Sequence, residues 1–429
     1  MNEREWQNLY RPLSRTRMPE EARERIGRAL QGAAPQGSPT PRRTRRGGWW
    51  AAAGVLAAAL LLIGTLGHGL GTRQPARRQP HPTPARTVSI AKIPLQSIDM
   101  LTARAGWAVS QTGRVLRTTD GGAGFADVTP PGMPQGTPGS VEISLTATGT
   151  EHAWVAVAQN GSPNLPPVRV YYTTNGGSTW RRAALQESGM PQIGFLSDRT
   201  GFLLLHEGAA AGSEGVLLLR SSDGGRSWQV VADGTPTAQS PTVIFGGQKS
   251  GFGFASPQRG WLTGNWAASS ILLYATQDGG KGWRVQNLTV PSGLTAQGGS
   301  AESLPPVFFG TQDGVLPVRF FAPGEPLVFY RTKDGGKTWT PTAPVQGGQN
   351  LAPYSVVSAS LLFVTDGSKV YRSTDGGLQW TAVQPDVSLK NATQIDFTSS
   401  ADGWAVVQGK LLRTTDGGST WRATSGPGQ

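Results

Sequence analysis

The chain contains no cysteine among its 429 residues, which excludes disulfide bonds, a thiolate nucleophile and thiolate metal ligands. Charged residues are also scarce, at 15% of the chain against about 25% in an average soluble protein. Beyond residue 92 the histidines are His152 and His206, and neither has a second histidine at the spacing of a metal site. We therefore expect no metal and no cofactor.

Acidic residues are absent between residues 49 and 92, where five basic residues occur. Residues 1–48 carry 11 Arg against 5 Glu, whereas residues 93–429 carry 23 basic and 22 acidic residues and are nearly neutral. The formal net charge of +12 thus belongs to the N-terminal fifth of the chain. A charge placed there does not predict a nucleic-acid-binding domain.

An uncharged run of 26 residues extends from Gly47 to Thr72. Its part from Trp49 to Leu66 is almost entirely apolar, and a helix of this length crosses a hydrocarbon core of about 30 Å. A cleaved signal peptide needs a short leader and a small-residue cleavage site, and the 46 preceding residues and the sequence after Leu66 provide neither. Residues 47–72 therefore predict a single transmembrane signal anchor.

The basic flanks of this run predict its orientation. The tighter cluster precedes the run and consists of Arg42, Arg43, Arg45 and Arg46. Because basic flanks favour the cytoplasmic side, we expect residues 1–46 in the cytoplasm and the remainder outside the cell membrane. Residues 73–92 are rich in proline and arginine and predict an extended stalk.

Residues 1–46 form a basic tail in which two apolar stripes recur at helical spacing. The stripe residues are Trp6, Leu9, Tyr10, Leu13, Ile26 and Leu30. They predict short helices and are candidate contacts for a cytoplasmic protein. A tail that lies on the inner leaflet explains the same pattern, and the sequence leaves both interpretations open.

A short motif recurs seven times in residues 93–429. Each copy reads Ser or Thr, any residue, Asp or Asn, Gly, Gly, two variable residues and an aromatic residue. The Asp or Asn positions are Asp120, Asn175, Asp223, Asp278, Asp334, Asp375 and Asp416. The aromatic positions are Phe125, Trp180, Trp228, Trp283, Trp339, Trp380 and Trp421. A repeat of 41 to 56 residues predicts a stack of similar units.

Each motif predicts a hairpin, because Asp-Gly-Gly suits a tight turn and the aromatic residue begins a strand. Upstream of most copies lies glycine followed by an aromatic and an apolar residue, as in Gly403-Trp404-Ala405. The last unit predicts strands at 394–398, 403–408, 410–415 and 421–424. Four antiparallel strands per unit predict an all-β, seven-bladed β-propeller over residues 93–429.

The motif resembles the Asp-box, or BNR, repeat of sialidases. The whole unit, from Gly403-Trp404-Ala405 to Trp421, is similar to the photosystem II assembly-factor propellers and their bacterial relatives. The assembly-factor resemblance implies binding of a membrane-protein partner, and the sialidase resemblance implies a glycoside hydrolase. Sialidases of this type need an arginine triad and an Arg-Ile-Pro motif and have six blades. No Arg-Ile-Pro occurs here, so we expect no enzyme.

Five arginines lie three positions before a box acid, and two interpretations of them stay open. The arginines are Arg117, Arg220, Arg331, Arg372 and Arg413. They form either a basic surface patch for an acidic partner or contacts between neighbouring blades.

The connectivity of a four-stranded unit places the Asp boxes on one face and the longer, more variable loops on the other. One of these longer loops is predicted from Glu207 to Glu214. Variable loops on a rigid scaffold usually carry recognition. We call this second side the long-loop face and expect a partner site there, with Trp266, Tyr354, Phe321 and His206 as candidate contacts.

The sequence thus predicts a membrane-anchored, extracytoplasmic propeller that binds a protein or a surface polymer without catalysis. Two other functions stay open. One is a transmembrane regulator, similar to membrane-bound anti-sigma factors, that senses through the propeller and signals through residues 1–46. The other is a sialidase-like glycoside hydrolase.

Overall fold

The computed structural model describes residues 87–88, 93–160, 166–210, 212–235, 238, 246–265, 271–294, 301–345 and 353–424. The predicted tail with its six candidate contacts, the predicted anchor and most of the predicted stalk lie outside these ranges. Within them, no helix is long and apolar enough to cross a bilayer.

All regular secondary structure within the described ranges is β-strand, which confirms the all-β prediction. In chain order the strands are β1 (Thr87–Val88), β2 (Leu95–Met100), β3 (Gly106–Ser110), β4 (Val115–Thr118), β5 (Phe125–Asp127), β6 (Val141–Ala147), β7 (Ala153–Gln159), β8 (Arg169–Thr173), β9 (Arg181–Ala183), β10 (Met190–Phe195), β11 (Gly201–Ala210), β12 (Ser213–Ser221), β13 (Gln229–Asp233), β14 (Gln248–Phe254), β15 (Gly260–Asn265), β16 (Leu273–Thr276), β17 (Arg284–Val285), β18 (Ala301–Ser303), β19 (Val307–Phe309), β20 (Asp313–Phe320), β21 (Leu327–Thr332), β22 (Thr340–Pro341), β23 (Tyr354–Val356), β24 (Leu362–Thr365), β25 (Val370–Ser373), β26 (Thr381–Val383), β27 (Ala392–Phe397), β28 (Gly403–Val407), β29 (Lys410–Thr414) and β30 (Arg422–Ala423).

The strands follow one another as antiparallel meanders, each with one Asp box between its last two strands. We number the meanders along the chain: meander 1 (β2–β5), meander 2 (β6–β9), meander 3 (β10–β13), meander 4 (β14–β17), meander 5 (β18–β22), meander 6 (β23–β26) and meander 7 (β27–β30). In meander 5 the first strand is split into β18 and β19, which both pair with β20. Meanders 4 and 5 belong to one nine-stranded sheet, joined by the pair Asn265↔Glu302.

The first strands of neighbouring meanders contact one another, as β6 does with β10 and β23 with β27. The same contact joins β2 to β27, so the first meander packs against the last. Antiparallel sheets that contact one another through their inner strands are typical of a β-propeller. The strands predicted for the last unit are confirmed to within two residues at each end.

The Asp-box turn is closed by three groups of its own motif. In meander 7 the hydroxyl of Thr414 donates to Asp416 Oδ1 at 2.8 Å and accepts the amide of Gly418 at 3.0 Å. Asp416 Oδ1 also accepts the amide of Thr420 at 2.9 Å. The hydroxyl of Thr420 donates to Asp416 Oδ2 at 2.6 Å. This bond, followed by the one from the amide of Thr420, stabilises the carboxylate and lowers the pKa of Asp416 to about 2. The hydroxyl two positions before the acid plays the same part in all seven boxes.

Three aromatic rings form the packing unit between neighbouring meanders. Phe397, the last residue of β27, stacks on Phe363 of meander 6 at 3.8 Å between ring centroids. The box residue Trp421 packs edge-on against Phe397, with 6.0 Å between ring centroids. Gly403 lies beneath Phe397, where a Cβ atom would come within 2.4 Å of the ring. The glycine before the aromatic residue of β28 therefore makes room for the neighbouring ring.

Backbone carbonyls of the boxes accept hydrogen bonds from side chains of the preceding meander. The Nε1 of Trp154 donates to Gly224 O and that of Trp404 to Gly121 O, both at 2.9 Å. Arg331 donates to Asp375 O at 2.8 Å, and Arg117 reaches Gly176 O at 3.4 Å. Arginines before the box acids therefore serve contacts between meanders, one of the two interpretations that the sequence left open.

Two meanders lack an arginine at this position and reach the next box by other side chains. Meander 4 has Ala275 there, and Arg259 from its first turn donates to Gly335 O at 3.0 Å instead. Meander 2 has Tyr172, over which the guanidinium of Arg226 from the next box lies at 5.9 Å. The contact with the neighbouring box is therefore kept although the residue that makes it changes.

Two tryptophans allow the value of these contacts to be measured. We expect Trp404→Phe to lower the free energy of unfolding by about 1–3 kcal/mol more than Trp339→Phe. The first change removes the bond to Gly121 O, whereas the buried Nε1 of Trp339 has no hydrogen-bond partner in the described structure. Urea unfolding of both variants measures the difference, and equal losses would contradict this account.

Candidate functional site

The predicted contacts of the long-loop face occupy different environments. Trp266 lies outside the described residues. Phe321 follows β20 and is half-buried, and Tyr354 begins β23, the inner strand of meander 6. His206 lies in β11, paired with Met190 and Val216. These three residues belong to three meanders, and no contact between them joins them into one site within the described ranges.

The hairpin of β11 and β12 is longer than the sequence indicates. The sequence predicts a loop from Glu207 to Glu214, but the paired strands continue to Ala210 and resume at Ser213. A bulge between His206 and Gly208 shifts the register. The prediction of a long loop here was wrong, because most residues of this segment belong to paired strands.

A cluster of charged side chains fastens this hairpin to meander 4. His206 Nδ1 lies 3.0 Å from Glu214 Oε1, and Glu214 Oε2 accepts the backbone amide of Lys249 at 2.5 Å. The Nζ of Lys249 donates to Gly246 O at 2.9 Å and Gly247 O at 3.0 Å. Glu214 and Lys249 are both buried. His206, predicted as a contact for a partner, therefore takes part in an internal contact of the long-loop face.

The charge of Lys249 depends on this environment. Burial lowers the pKa of Lys249 to about 8, and the nearby Glu214 carboxylate opposes that shift. The ammonium group is therefore still largely charged at neutral pH. A buried ammonium group of this kind needs its carboxylate partner.

Tyr354 lies near a second buried ion pair, formed at the ends of β18 and β20. Arg319 donates to Glu302 Oε2 at 2.8 Å, and the ring of Tyr354 packs against Phe329 with 6.0 Å between centroids. Burial raises the pKa of Tyr354 to about 12, so its phenol stays neutral at physiological pH. Burial also raises the pKa of Glu302, while Arg319 opposes that shift.

Two cavities lie between the inner strands. One, of about 340 Å³, is lined by β2, β3 and β27 and includes Asp99 and Trp107. The other, of about 390 Å³, is lined by β23, β27 and the end of β2 and includes Tyr354 and Val307. Gln394 and Asp396 line both cavities. We call this space between the inner strands the channel. Its wall contains both polar and apolar residues here.

Asp99 and Asp396 are the acidic residues of this wall. Burial raises the pKa of Asp99 to about 6, and a backbone hydrogen bond from Ala147 opposes that shift. Burial raises the pKa of Asp396 to about 7, the amide of Met100 opposes it, and the charge of Asp99 raises it further. Both carboxyl groups therefore titrate near neutral pH, unlike exposed aspartates.

These channel residues were missed in the sequence because no motif marks them. Each is a single polar residue at an alternating position of an inner strand, as Gln394 and Asp396 are in β27. Serines at similar positions bond to the next inner strand, as Ser144 does to the amide of Ile193 and Ser355 to that of Phe397. Polar residues two apart in the first strand of each repeat are the pattern by which they can be found.

Among the described residues, the charged side chains that line these two cavities are acidic. No arginine, lysine or histidine lines either cavity within the described ranges. The described residues also contain no group of three or more His, Asp or Glu that could hold a metal ion. Asp396 is already engaged by the amide of Met100 at 2.7 Å.

Comparisons with known proteins agree with this fold. Residues 248–391, which include meanders 4 to 6, match the family model of the photosynthesis system II assembly factor YCF48. A solved structure of YCF48 bound to a D1 peptide has a TM-score of 0.51 and 17% identity, covering 78% of this chain and 95% of that chain. The chain is therefore a BNR-type β-propeller that resembles this assembly factor.

Two further solved structures are similar at lower scores. YCF48 from Cyanidioschyzon merolae has a TM-score of 0.45 and 18% identity, covering 78% of this chain and 97% of that chain. A lectin from Aleuria aurantia has a TM-score of 0.41 and 11% identity, covering 70% of this chain and 94% of that chain. The search of curated protein sequences gave no match.

The charged cluster on the long-loop face can be tested by removing its carboxylate. We expect Glu214→Gln to lower the free energy of unfolding by about 3–5 kcal/mol, because it removes the buried carboxylate that accepts the amide of Lys249 and whose charge favours the nearby ammonium group. Urea unfolding at neutral pH measures the loss.

The matched control is Glu151→Gln, since Glu151 pairs with Arg117 at 2.9 Å but its side chain is 53% exposed. An exposed pair of this kind contributes about 1 kcal/mol or less. Losses of equal size in the two variants would mean that the cluster does not stabilise the hairpin.

Proposed function

We propose that this chain is a non-catalytic, protein-binding propeller with an assembly-factor-like role, anchored in the cell membrane with its propeller outside the cytoplasm. The observation that carries the proposal is the match of residues 248–391 to the YCF48 family model. The solved YCF48 structure that shares this fold is described as bound to a D1 peptide. For the present chain, the partner we propose is a membrane protein or a subunit of a membrane complex.

The proposal includes a closed ring of seven blades, one for each meander. The contacts between the first and last meanders support it, since β2 packs against β27 and Trp404 donates to the box carbonyl of Gly121. Closure of this kind leaves few free strand edges.

The long-loop face is our proposed partner surface. Support comes from its asymmetry: the Asp-box turns are short and alike, whereas the opposite face carries the β11–β12 hairpin and the variable connections. A membrane anchor over residues 47–72 would keep this propeller close to membrane-embedded partners. The apolar run and its arginine flanks support that part of the proposal.

Membrane anchoring is tested by carbonate extraction. We expect the full-length chain to stay in the membrane pellet after extraction, because an apolar helix resists removal by high pH. A chain that lacks residues 1–72 is expected in the soluble fraction and serves as the control. Release of both chains would contradict the anchor.

Partner binding is tested by photo-crosslinking of the full-length chain in its native membrane. We expect a photoreactive phenylalanine analogue at Phe321, on the long-loop face, to crosslink to an integral membrane protein that mass spectrometry identifies. The same analogue at Leu378, which is 54% exposed in the box turn of meander 6, is the control on the opposite face. We expect it to give no such product.

Other products would favour the other functions. A transcription factor recovered only when residues 6–30 are present would favour a transmembrane regulator. A crosslinked polysaccharide would favour a surface-polymer receptor, and turnover of a sialoside by the purified chain would favour a glycoside hydrolase.

A further inference from the structure

The junction between meander 7 and meander 1 differs from the other junctions between inner strands. Here the two ends of the propeller meet, and β27 and β2 belong to different sheets. One backbone hydrogen bond joins the two ends, from the amide of Leu95 to Gly409 O at 2.8 Å. Further along β2 the bonds across this junction come from side chains.

Two side chains of β27 bind the free backbone edge of β2. Gln394 accepts the amide of Ile98 at 2.9 Å and donates to the carbonyl of the same residue at 2.7 Å. Two residues further along, Asp396 accepts the amide of Met100 at 2.7 Å. The spacing of two residues on each strand matches the repeat of a β-strand, so these side chains satisfy an edge that would otherwise be unpaired.

The junction of meanders 2 and 3 and that of meanders 6 and 7 have fewer bonds of this kind among the described residues. Ser144 accepts one amide of β10 at 3.0 Å, and Ser355 accepts one amide of β27 at 2.9 Å. The closing junction has three such bonds. The junction of meanders 4 and 5 also has several, since Ser303 accepts the amide of Gly264 at 3.0 Å and Ser250 donates to Ser303 O at 2.6 Å.

We propose that Gln394 and Asp396 form a ring-closing clasp on β2, and that protonation of the Asp99–Asp396 carboxyl pair sets its strength, so that the ring closes most tightly in mild acid. The pair lines one cavity between the inner strands. No lysine, arginine or histidine lines either adjoining cavity among the described residues, and the other titratable group there is Tyr354.

Arg413 belongs to the same junction but lies at its Asp-box end. It donates to Ala103 O at 3.2 Å and pairs with Asp402 at 3.5 Å. A guanidinium group stays charged throughout the relevant pH range, so this contact does not follow the titration of the channel carboxyls. Trp404 and Gly121 add a neutral contact at the same end.

The sign of the pH effect follows from linkage. When the ring is closed, burial raises the pKa of Asp99 to about 6 and that of Asp396 to about 7. When the junction is open, both carboxyl groups return to the ordinary pKa of an aspartate, near 4. The closed ring therefore binds more protons than the open one between about pH 4 and pH 7. Its stabilisation is fully present below about pH 4 and is lost as pH rises through 6 and 7.

Hydrogen exchange with mass spectrometry tests the clasp in the full chain, at about pH 5 and about pH 8, with protection factors corrected for the intrinsic rate. We expect protection of segments 95–101 and 392–398 to fall about tenfold or more from the lower to the higher pH. Segment 190–195, whose junction contains Ser144 instead of a carboxyl pair, is expected to change less than twofold.

Asp396→Asn keeps an acceptor for the amide of Met100 but removes the titration. We expect this variant to retain at about pH 8 the protection that the unaltered chain has at about pH 5. Asp99→Asn, on the opposite strand, provides an independent variant if the first does not fold, and we expect it to reduce the fall. The control is Asp313→Asn, an exposed position in meander 5, which should behave like the unaltered chain.

Two results would overturn the proposal. One is protection of segment 95–101 in the unaltered chain that changes by less than twofold between the two pH values. The other is a fall in Asp396→Asn as large as in the unaltered chain, which would place the titrating group elsewhere.

Discussion

The packing of the propeller depends on hydrogen bonds from one meander to backbone carbonyls in the Asp box of the next. A box turn is closed by its own hydroxyl and carboxylate, so a backbone carbonyl of the turn, such as Gly121 O, can accept a donor from the neighbouring meander. Gly121 has a φ of +77°, and a Cβ atom there would come within 2.6 Å of the Arg413 guanidinium. Glycine is thus required both by the backbone conformation and by the approach of the neighbour.

This constraint explains why so much of the fold could be predicted. The box and the glycine-aromatic motif are the two sides of one contact between meanders, so their regular recurrence reports the packing as well as the turns. The strand order, the antiparallel pairing and the face that carries the boxes followed from that recurrence. The sequence did not indicate that the hydroxyl two positions before each acid closes the turn. In the structure it donates to the acid and accepts the amide of the second glycine, as Ser373 does in meander 6.

The candidate site could be predicted much less well, because its residues belong to no motif. Asp99 and Asp396 become unusual only through burial next to each other, and burial between inner strands depends on how the two chain ends meet. His206 could be named as a residue of the long-loop face. Its pairing with Glu214 depends on the β11–β12 hairpin, and the glycine and alanine content of this segment favoured the prediction of a loop instead. Local propensity describes turns well and describes contacts between distant segments poorly.

Meanders 4 and 5 illustrate how one junction departs from the common pattern. Pro305 and Pro306 interrupt the inner strand of meander 5 and press on the inner strand of meander 4, where Gly251 and Gly253 leave the space they occupy. The single pair Asn265↔Glu302 continues the hydrogen bonding across the junction. These two meanders therefore behave as one sheet, and the region that matches the family model begins with them.

The two-residue strand β1 has a mechanical consequence. It pairs antiparallel with β5, Thr87 with Ala126 and Val88 with Phe125, so it forms the outer edge of its sheet. Tension applied from the N-terminal side reaches these two residue pairs before it reaches the inner strand β2. β1 would therefore separate from β5 first under load, while strands β2 to β5 remain paired.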